Sequence, residues 1–351
     1  LGAGAFGVVR KVVQRATGAV LVDKQIGLAG LKKDEARGAY NEVDVLKELD
    51  HANITRYHEC IVEDQVMHII LEYADGGDLY GRIQAAAGKN LAEEQVMNWF
   101  VQICLAVAHV HGKKLLHRDL KSANVFLNSD GLVKLGDFGI ARMLQGTNAC
   151  AKTVVGTPFY LSPEICQGKA YNAKSDVWSL GCILYELTTL KRAFDGNSIP
   201  AVVVKILRGC YPVIPSTYSG NLRALIHSML QKNPSDRPTV AQILSLSFVQ
   251  AHVRTYLSHV HALMRTPPRG LPELPPSPAA PAPRRRAAAK AVKEAARAAH
   301  APPENLRDAR KRLNGIRNRE WQQRQQNDLD ALDSRLASKQ ANPPSAEPQP
   351  G

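Results

Sequence analysis

The chain has 351 residues, 44% of them hydrophobic, and a formal net charge of +13 from 45 Lys+Arg against 32 Asp+Glu. That apolar share is ample for a core and excludes a wholly disordered chain. No run approaches the roughly 18 uninterrupted apolar residues of a membrane helix, and the opening lacks the charged-then-apolar pattern of a secretory signal.

Leu1 in place of Met reads as the start of a fragment whose beginning lies upstream. Six scattered cysteines (Cys60, Cys104, Cys150, Cys166, Cys182 and Cys210) form no CxxC pair and have no His at metal spacing. This speaks against a zinc site or a disulfide framework and for a reducing compartment.

In chain order, Val8 to Val13, Val20 to Ile26 and Val66 to Leu71 are apolar, β-branched runs between turn residues and are expected as strands. Apolar residues then recur at helical spacing in Glu94 to Val110, Ser175 to Leu190, Leu222 to Leu230 and Val240 to Leu246. Strands first and helices later predict an α+β fold in two lobes. From Thr266 to Pro283 the chain is Pro-rich and reads as extended linker. Ala287 to His300 and Glu304 to Lys339 have the composition of helices. A heptad seam through Leu306, Leu313 and Ile316 passes into Glu320, Gln323 and Asn327, so no coiled coil is established. The charge is uneven: residues 265–351 carry 17 Lys+Arg against 9 Asp+Glu.

Gly2, Gly4 and Gly7 form G-x-G-x-x-G, a pattern that lets backbone N–H groups approach phosphate oxygens. A dinucleotide fold or a chance Gly-rich hairpin would share it. Past Gly7 the chain continues as a strand (Val8, Val9, Lys11, Val12, Val13) rather than a helix, and no GK[ST] is present. A strand–turn–strand flap over a nucleotide fits, and a P-loop is excluded.

The most informative segment is Leu115 to Arg142, LLHRDLKSANVFLNSDGLVKLGDFGIAR. It contains His117-Arg118-Asp119, Asn124 five residues after Asp119, and Asp137-Phe138-Gly139 thirteen residues after Asn124. Ser162-Pro163-Glu164 comes next along the chain. With the glycine loop, this spacing resembles a eukaryotic protein kinase domain, and so implies a bilobal fold with a small β-rich N-lobe and a larger helical C-lobe. The expected boundaries are a kinase domain over 1–250 with its N-terminal edge cut (N-lobe 1–73, C-lobe 74–250), a short helical extension over 251–264, and a basic tail over 265–351.

The resemblance implies ATP and Mg2+ as cofactors. Asp119 is then the carboxylate that takes the proton of the attacking hydroxyl, Asn124 and Asp137 the hard oxygen ligands of the metal, and Lys121 the cation at the transferred phosphate. Lys121 implies Ser/Thr rather than Tyr substrates. Lys24, seventeen residues past Gly7 and inside the second strand, is the expected phosphate-binding lysine, and Glu42 its partner on a helix with Val45, Leu46 and Leu49 as apolar face. Lys11, Lys32 and Glu35 are nearby rivals. Where the family has Val-Ala-Ile-Lys this chain has Leu21-Val22-Asp23-Lys24, so Asp23 is expected to face outward. Leu71 is the expected gatekeeper, with the backbones of Glu72 and Ala74 reading the adenine edge and Val9, Val22 and Phe126 sandwiching the base. Asp78 has two open roles, ribose binding or an N-cap.

Regulation is expected at Thr153, whose phosphate Arg118 would receive; an unmodified polar loop residue is the plain alternative. Glu164 is expected to pair with Arg237, and Asp176 to hold the catalytic-loop backbone. HRDLKSANVFL, LGDFGIAR, VVGTPFYLSPEIC and YNAKSDVWSLGCILYELTTLKRAF are similar to NIMA-related (Nek) kinases, leaning towards the Nek8/Nek9-like branch. The resemblance covers roughly residues 1–250 and implies protein substrates and, by analogy, cell-cycle, microtubule or ciliary work. It implies a cytoplasmic location extending to the cytoskeleton, centrosome, cilium or nucleus. The rival reading is a pseudokinase or scaffold acting through its tail. The tail's basic clusters, from Arg284 to Arg317, would suit an acidic filament or nucleic acid, with a solvated extension as the bland alternative.

Overall fold

The computed structural model describes residues 2–4, 7–31, 33–138 and 158–265. Thr153, Cys150, Gly139, the Pro-rich linker and the expected tail helices lie outside them. The chain divides into two units, Leu1–Leu263 and Met264–Gly351; of the second, only residues 264 and 265 are described.

The N-lobe is a five-stranded antiparallel sheet in the order β1-β2-β3-β5-β4. Its strands are β1 (Gly2–Gly4), β2 (Gly7–Val13), β3 (Val20–Gly27), β4 (Tyr57–Glu63) and β5 (Val66–Glu72). The glycine loop is the turn of the β1–β2 hairpin, with Gly2 opposite Val9 and Gly4 opposite Gly7. Gly7 has φ 153°, and a Cβ there would lie 1.7 Å from the carbonyl oxygen of Gln25 on β3. Sheet packing therefore requires this glycine before any ligand is considered. Asp64 and Gln65, both at positive φ, close the β4–β5 hairpin with the twist such turns need. Helix α1 (Lys33–Glu48) joins β3 to β4, packs against β4 and buries Ala39, Tyr40, Val43 and Leu46.

Asp23 does not face outward. It is 6% exposed. Its carboxylate lies 3.0 and 3.2 Å from His68 Nδ1 on β5 and accepts from Gln25 Nε2 at 2.7 Å. The register sets this: Asp23 pairs with Ile70 and Gln25 with His68, so these polar groups share one face of the sheet. A carboxylate can stay buried when its lone pairs are satisfied.

The C-lobe is helical: α2 (Leu79–Ala85), α3 (Glu93–Gly112), α4 (Pro163–Cys166), α5 (Ala173–Thr189), α6 (Ile199–Arg208), α7 (Gly220–Met229), α8 (Val240–Ser245) and α9 (Ser247–Arg265). A two-stranded ribbon, β6 (Val125–Leu127) and β7 (Val133–Leu135), sits beside α3. Helices α3 and α5 are apolar on most faces and form the centre, with Phe100, Ile103, Val107, Trp178, Leu180 and Ile183 fully buried. Helix α5 starts at Ala173 because Asn172 and Ser175 form a capping box, and stops where Leu190 turns left-handed at φ 58°. Among the described residues no helix is long and apolar enough to cross a membrane.

Candidate active site

Lys24 leaves β3 on the face that carries Val22 and Ile26. Its Nζ lies 2.8 Å from Glu42 Oε1 and 3.2 Å from Asp137 Oδ1. Burial alone would favour the neutral amine, but attraction to Glu42 and then Asp137 outweighs it and holds the ammonium's pKa above its ordinary value. Glu42 is presented by α1, whose next residue, Val43, is fully buried. The rival Lys11 stands instead over the Tyr73 ring, 4.7 Å from its centroid.

The catalytic-loop residues converge on the same cleft. Lys121 Nζ is 2.9 Å from Asp119 Oδ2. Asn124, at the end of the 3-10 turn Ser122–Asn124, donates its Nδ2 to Asp119 O (2.8 Å), Asp119 Oδ2 (3.0 Å) and Asp137 O (3.5 Å). Arg118 and Asp137 hold φ of 68° and 48°, local strain of the kind that persists only where the surroundings impose it. His117 imposes part of it: its Nε2 meets Gly136 O at 3.1 Å and its ring lies 4.6 Å from Phe138. Burial lowers the His117 pKa, keeping the imidazole neutral.

The slot above these groups follows from register. Val9 pairs with Lys24 and Val22 with Leu71, which puts Val9, Val22 and Leu71 beside the Lys24 ammonium. Glu72 pairs through Oε1 with Lys134 at 2.8 Å, and its N–H donates to Arg56 O at 2.9 Å. After Ala74 the chain is strapped to β6, since Gly76 N donates to Leu127 O and Leu127 N to Gly77 O, both at 2.8 Å. Phe126, on β6, bridges to Asp78. Asp78 caps α2 by accepting from Gly81 N at 2.7 Å, one of the two roles its sequence position left open.

Residues 1–249 match the family model for the protein kinase domain. The chain belongs to the protein kinase family. Over 258 residues it is 46% identical to the serine/threonine-protein kinase Nek1 of Mus musculus, an overlap covering 74% of this chain and 21% of that protein. It is 47% identical over 246 residues to Nek8 of Danio rerio (70% and 35%) and 41% over 262 residues to Nek11 of Homo sapiens (73% and 40%). The chain thus spans about a fifth to two fifths of the length of these curated relatives. Its domain is a NIMA-related serine/threonine kinase domain. The near-equal identities to Nek1 and Nek8 do not single out the Nek8/Nek9-like branch.

Two buried clusters brace this kinase domain. Asp176, on α5, accepts from the backbone N–H of His117 and of Arg118 (3.1 Å each), from His111 Nε2 (2.8 Å) and from the Tyr171 hydroxyl. Burial pushes its pKa up, but the bonds from His111 and Tyr171 and the nearby His117 outweigh that and hold the carboxyl below its usual range. Glu164 and Arg237 form a buried bidentate pair at 2.8 Å for each bond, and Ser175 Oγ donates to Glu164 Oε1 at 2.7 Å.

Sequence reasoning missed a third cluster, in which Tyr160 OH donates to Glu186 Oε2 at 2.5 Å and lies 3.0 Å from Ser122 Oγ. It ties the catalytic loop to α5, and its members are too far apart in the chain for any spacing to reveal it.

Proposed function

We propose that this protein transfers the γ-phosphoryl group of ATP to serine or threonine hydroxyls of protein substrates, with Mg2+ as its metal. The observation that carries the reading is Lys24 held between Glu42 and Asp137, with Asn124 joining Asp137 to Asp119. The donor set suits the metal. Asn124 commits its amide nitrogen to Asp119, so its carbonyl oxygen is the atom left for a cation. The Asp137 carboxylate is 44% exposed and meets Lys24 through Oδ1. Both are hard oxygen ligands. When bound, Mg2+ neutralises phosphate charge while ATP supplies the group transferred.

The chain's own residues do the rest. Asp119 orients the attacking hydroxyl and accepts its proton. Lys121 supplies positive charge at the phosphate in transit, and Lys24 fixes the phosphates behind it. Val9, Val22, Leu71 and Phe126 form the base slot, the Glu72 and Ala74 backbone reads its edge, and the Gly2, Gly4 and Gly7 hairpin covers the phosphates.

Phosphate on Thr153 switches the domain on, with Arg118 as its receiver. Support comes from Arg118 itself, whose Nε is buried and has no hydrogen-bond partner among the described residues. The domain spans 1–250, with lobes 1–73 and 74–250, then an extension over 251–264 and a basic tail. For the tail we propose an acidic filament such as the microtubule as partner. That agrees with a cytoskeletal place and cell-cycle or ciliary work. Cosedimentation at two salt concentrations tests it; no pelleting at the lower salt removes it.

Incubation with Mg2+ and ATP, followed by mapping of phosphosites by mass spectrometry, tests turnover and switch together. The expected result is phosphate on Ser/Thr of an added peptide and on Thr153. An unmodified peptide at all enzyme concentrations would remove the reading.

A further inference from the structure

The two carboxylates that hold Lys24 arrive on separate elements, Glu42 on α1 and Asp137 just after β7, and both elements lead to Asn53. Beyond α1 the chain turns through His51 to Asn53, whose N–H donates to His51 Nδ1 at 3.0 Å. The Asn53 carbonyl accepts the Leu135 N–H at 2.8 Å, two residues before Asp137, and Thr55 N–H donates to Leu135 O at 2.9 Å. The Asn53 side chain donates from Nδ2 to Gln102 Oε1 (2.9 Å) and Val133 O (3.1 Å), which ties the same point to α3 and β7. One atom of this side chain is engaged from elsewhere. Asn53 Oδ1 accepts the Tyr256 hydroxyl at 2.9 Å. Both side chains are buried, and Tyr256 lies on α9, past residue 249 where the family match ends.

We propose that Tyr256 is a positioning residue: by locking Asn53 it fixes the seat from which Glu42 and Asp137 meet Lys24, so that α9 governs the competence of the cleft. The proposal rests on the phosphoryl-transfer function proposed for the cleft. An amide with every polar group partnered has a single orientation. Without the Tyr256 hydroxyl, Asn53 Oδ1 is a buried acceptor without its donor, and the amide regains its partners only by disturbing Gln102 or Val133. Because α9 is the segment that leads into the basic tail, whatever engages the tail has a covalent path to this seat.

The test uses the full chain with Tyr256→Phe, which keeps the ring, and Tyr218→Phe as control. Tyr218 is likewise buried and donates to Leu91 O at 2.8 Å, but it links elements away from Asn53. Turnover of a Ser/Thr peptide is measured below the melting transition of both variants, alongside hydrogen exchange at the Leu135 and Thr55 amides without nucleotide. The expected result for Tyr256→Phe is a kcat about tenfold lower with the peptide KM unchanged, and faster exchange at both amides. Tyr218→Phe should show neither. Wild-type kcat and exchange in Tyr256→Phe, an equal loss in Tyr218→Phe, or a Tyr256→Phe chain that does not fold would each overturn the proposal. A wild-type chain that transfers no phosphate defeats the proposed function instead, and the exchange measurement then decides by itself whether Tyr256 governs the seat.

Discussion

Lys24 illustrates how single atoms set the chemistry. Its ammonium is charged because two carboxylates lie within 3.2 Å, and it is fixed because they arrive on separate elements, α1 and the segment after β7. Lys24→Met removes the cation proposed to act on phosphate oxygens and leaves Glu42 buried without its partner. Turnover should fall by about 10²–10³-fold, as it does when one electrostatic stabiliser is lost. Lys24→Arg should not restore it, because a planar guanidinium cannot occupy the place of a point ammonium between two carboxylates. Steady-state assays of the two variants check this; activity in Lys24→Arg near that of wild type would count against it. The same scale explains one legible residue and one illegible one. Lys24 was readable from its strand and its distance from Gly7. The burial of Asp23 was not, because its satisfying partner, His68, is forty-five residues away and reaches it only through strand register.

Among elements, the hinge strap is a tight junction near the slot. A Cβ on Gly76 would lie 2.7 Å from Asn128 O and 2.8 Å from Leu127 O, both backbone atoms that cannot swing away. Gly76→Ala should therefore push the hinge off β6 and Phe126, costing about 1–3 kcal/mol of stability and weakening nucleotide binding. Thermal melts and ATP titration measure the two effects. The Glu164–Arg237 pair holds α4 to the turn before α8. Arg237 also donates to the carbonyls of Gln231, Lys174 and Lys232 at 2.7, 2.8 and 3.1 Å. Arg237→Ala strands a buried carboxylate and should cost about 3–5 kcal/mol, read as a lowered denaturation midpoint. A loss under about 1 kcal/mol would mean that Glu164 finds water instead. Helix positions were largely legible because α3, α5, α7 and α8 have helical apolar spacing, and the last three begin at side-chain N-caps. The catalytic string was legible because it is contiguous. The Tyr160–Ser122–Glu186 and Tyr256–Asn53 contacts were not, since no local pattern encodes a bond between residues 26 to 203 positions apart.

Over the whole molecule, buried titrating groups make stability depend on pH in a stated direction. The Asp176 and Glu164 pKa values are depressed on folding, so their contribution is complete above the unfolded carboxylate values of 3.8 and 4.5 and is lost as pH falls through the folded values. The His117 and His51 pKa values are also depressed, here chiefly by burial. Below 6.5 the unfolded chain takes up protons that the folded imidazoles resist, so stability already declines from that pH downward. Denaturant midpoints should therefore fall in two stages on acidification, first near 6.5 and then below about 4.5. A midpoint flat from about pH 7 to about pH 5 would contradict the histidine part. The central claim, that the cleft between the two lobes is a phosphoryl-transfer site with Asp119 as its base, is tested most directly by one paired measurement. Phosphate transfer to a Ser/Thr peptide and equilibrium ATP binding are compared in the wild-type chain and in Asp119→Asn. Turnover should drop by about 10²–10⁴-fold with ATP affinity unchanged; equal turnover in the two chains would contradict the account.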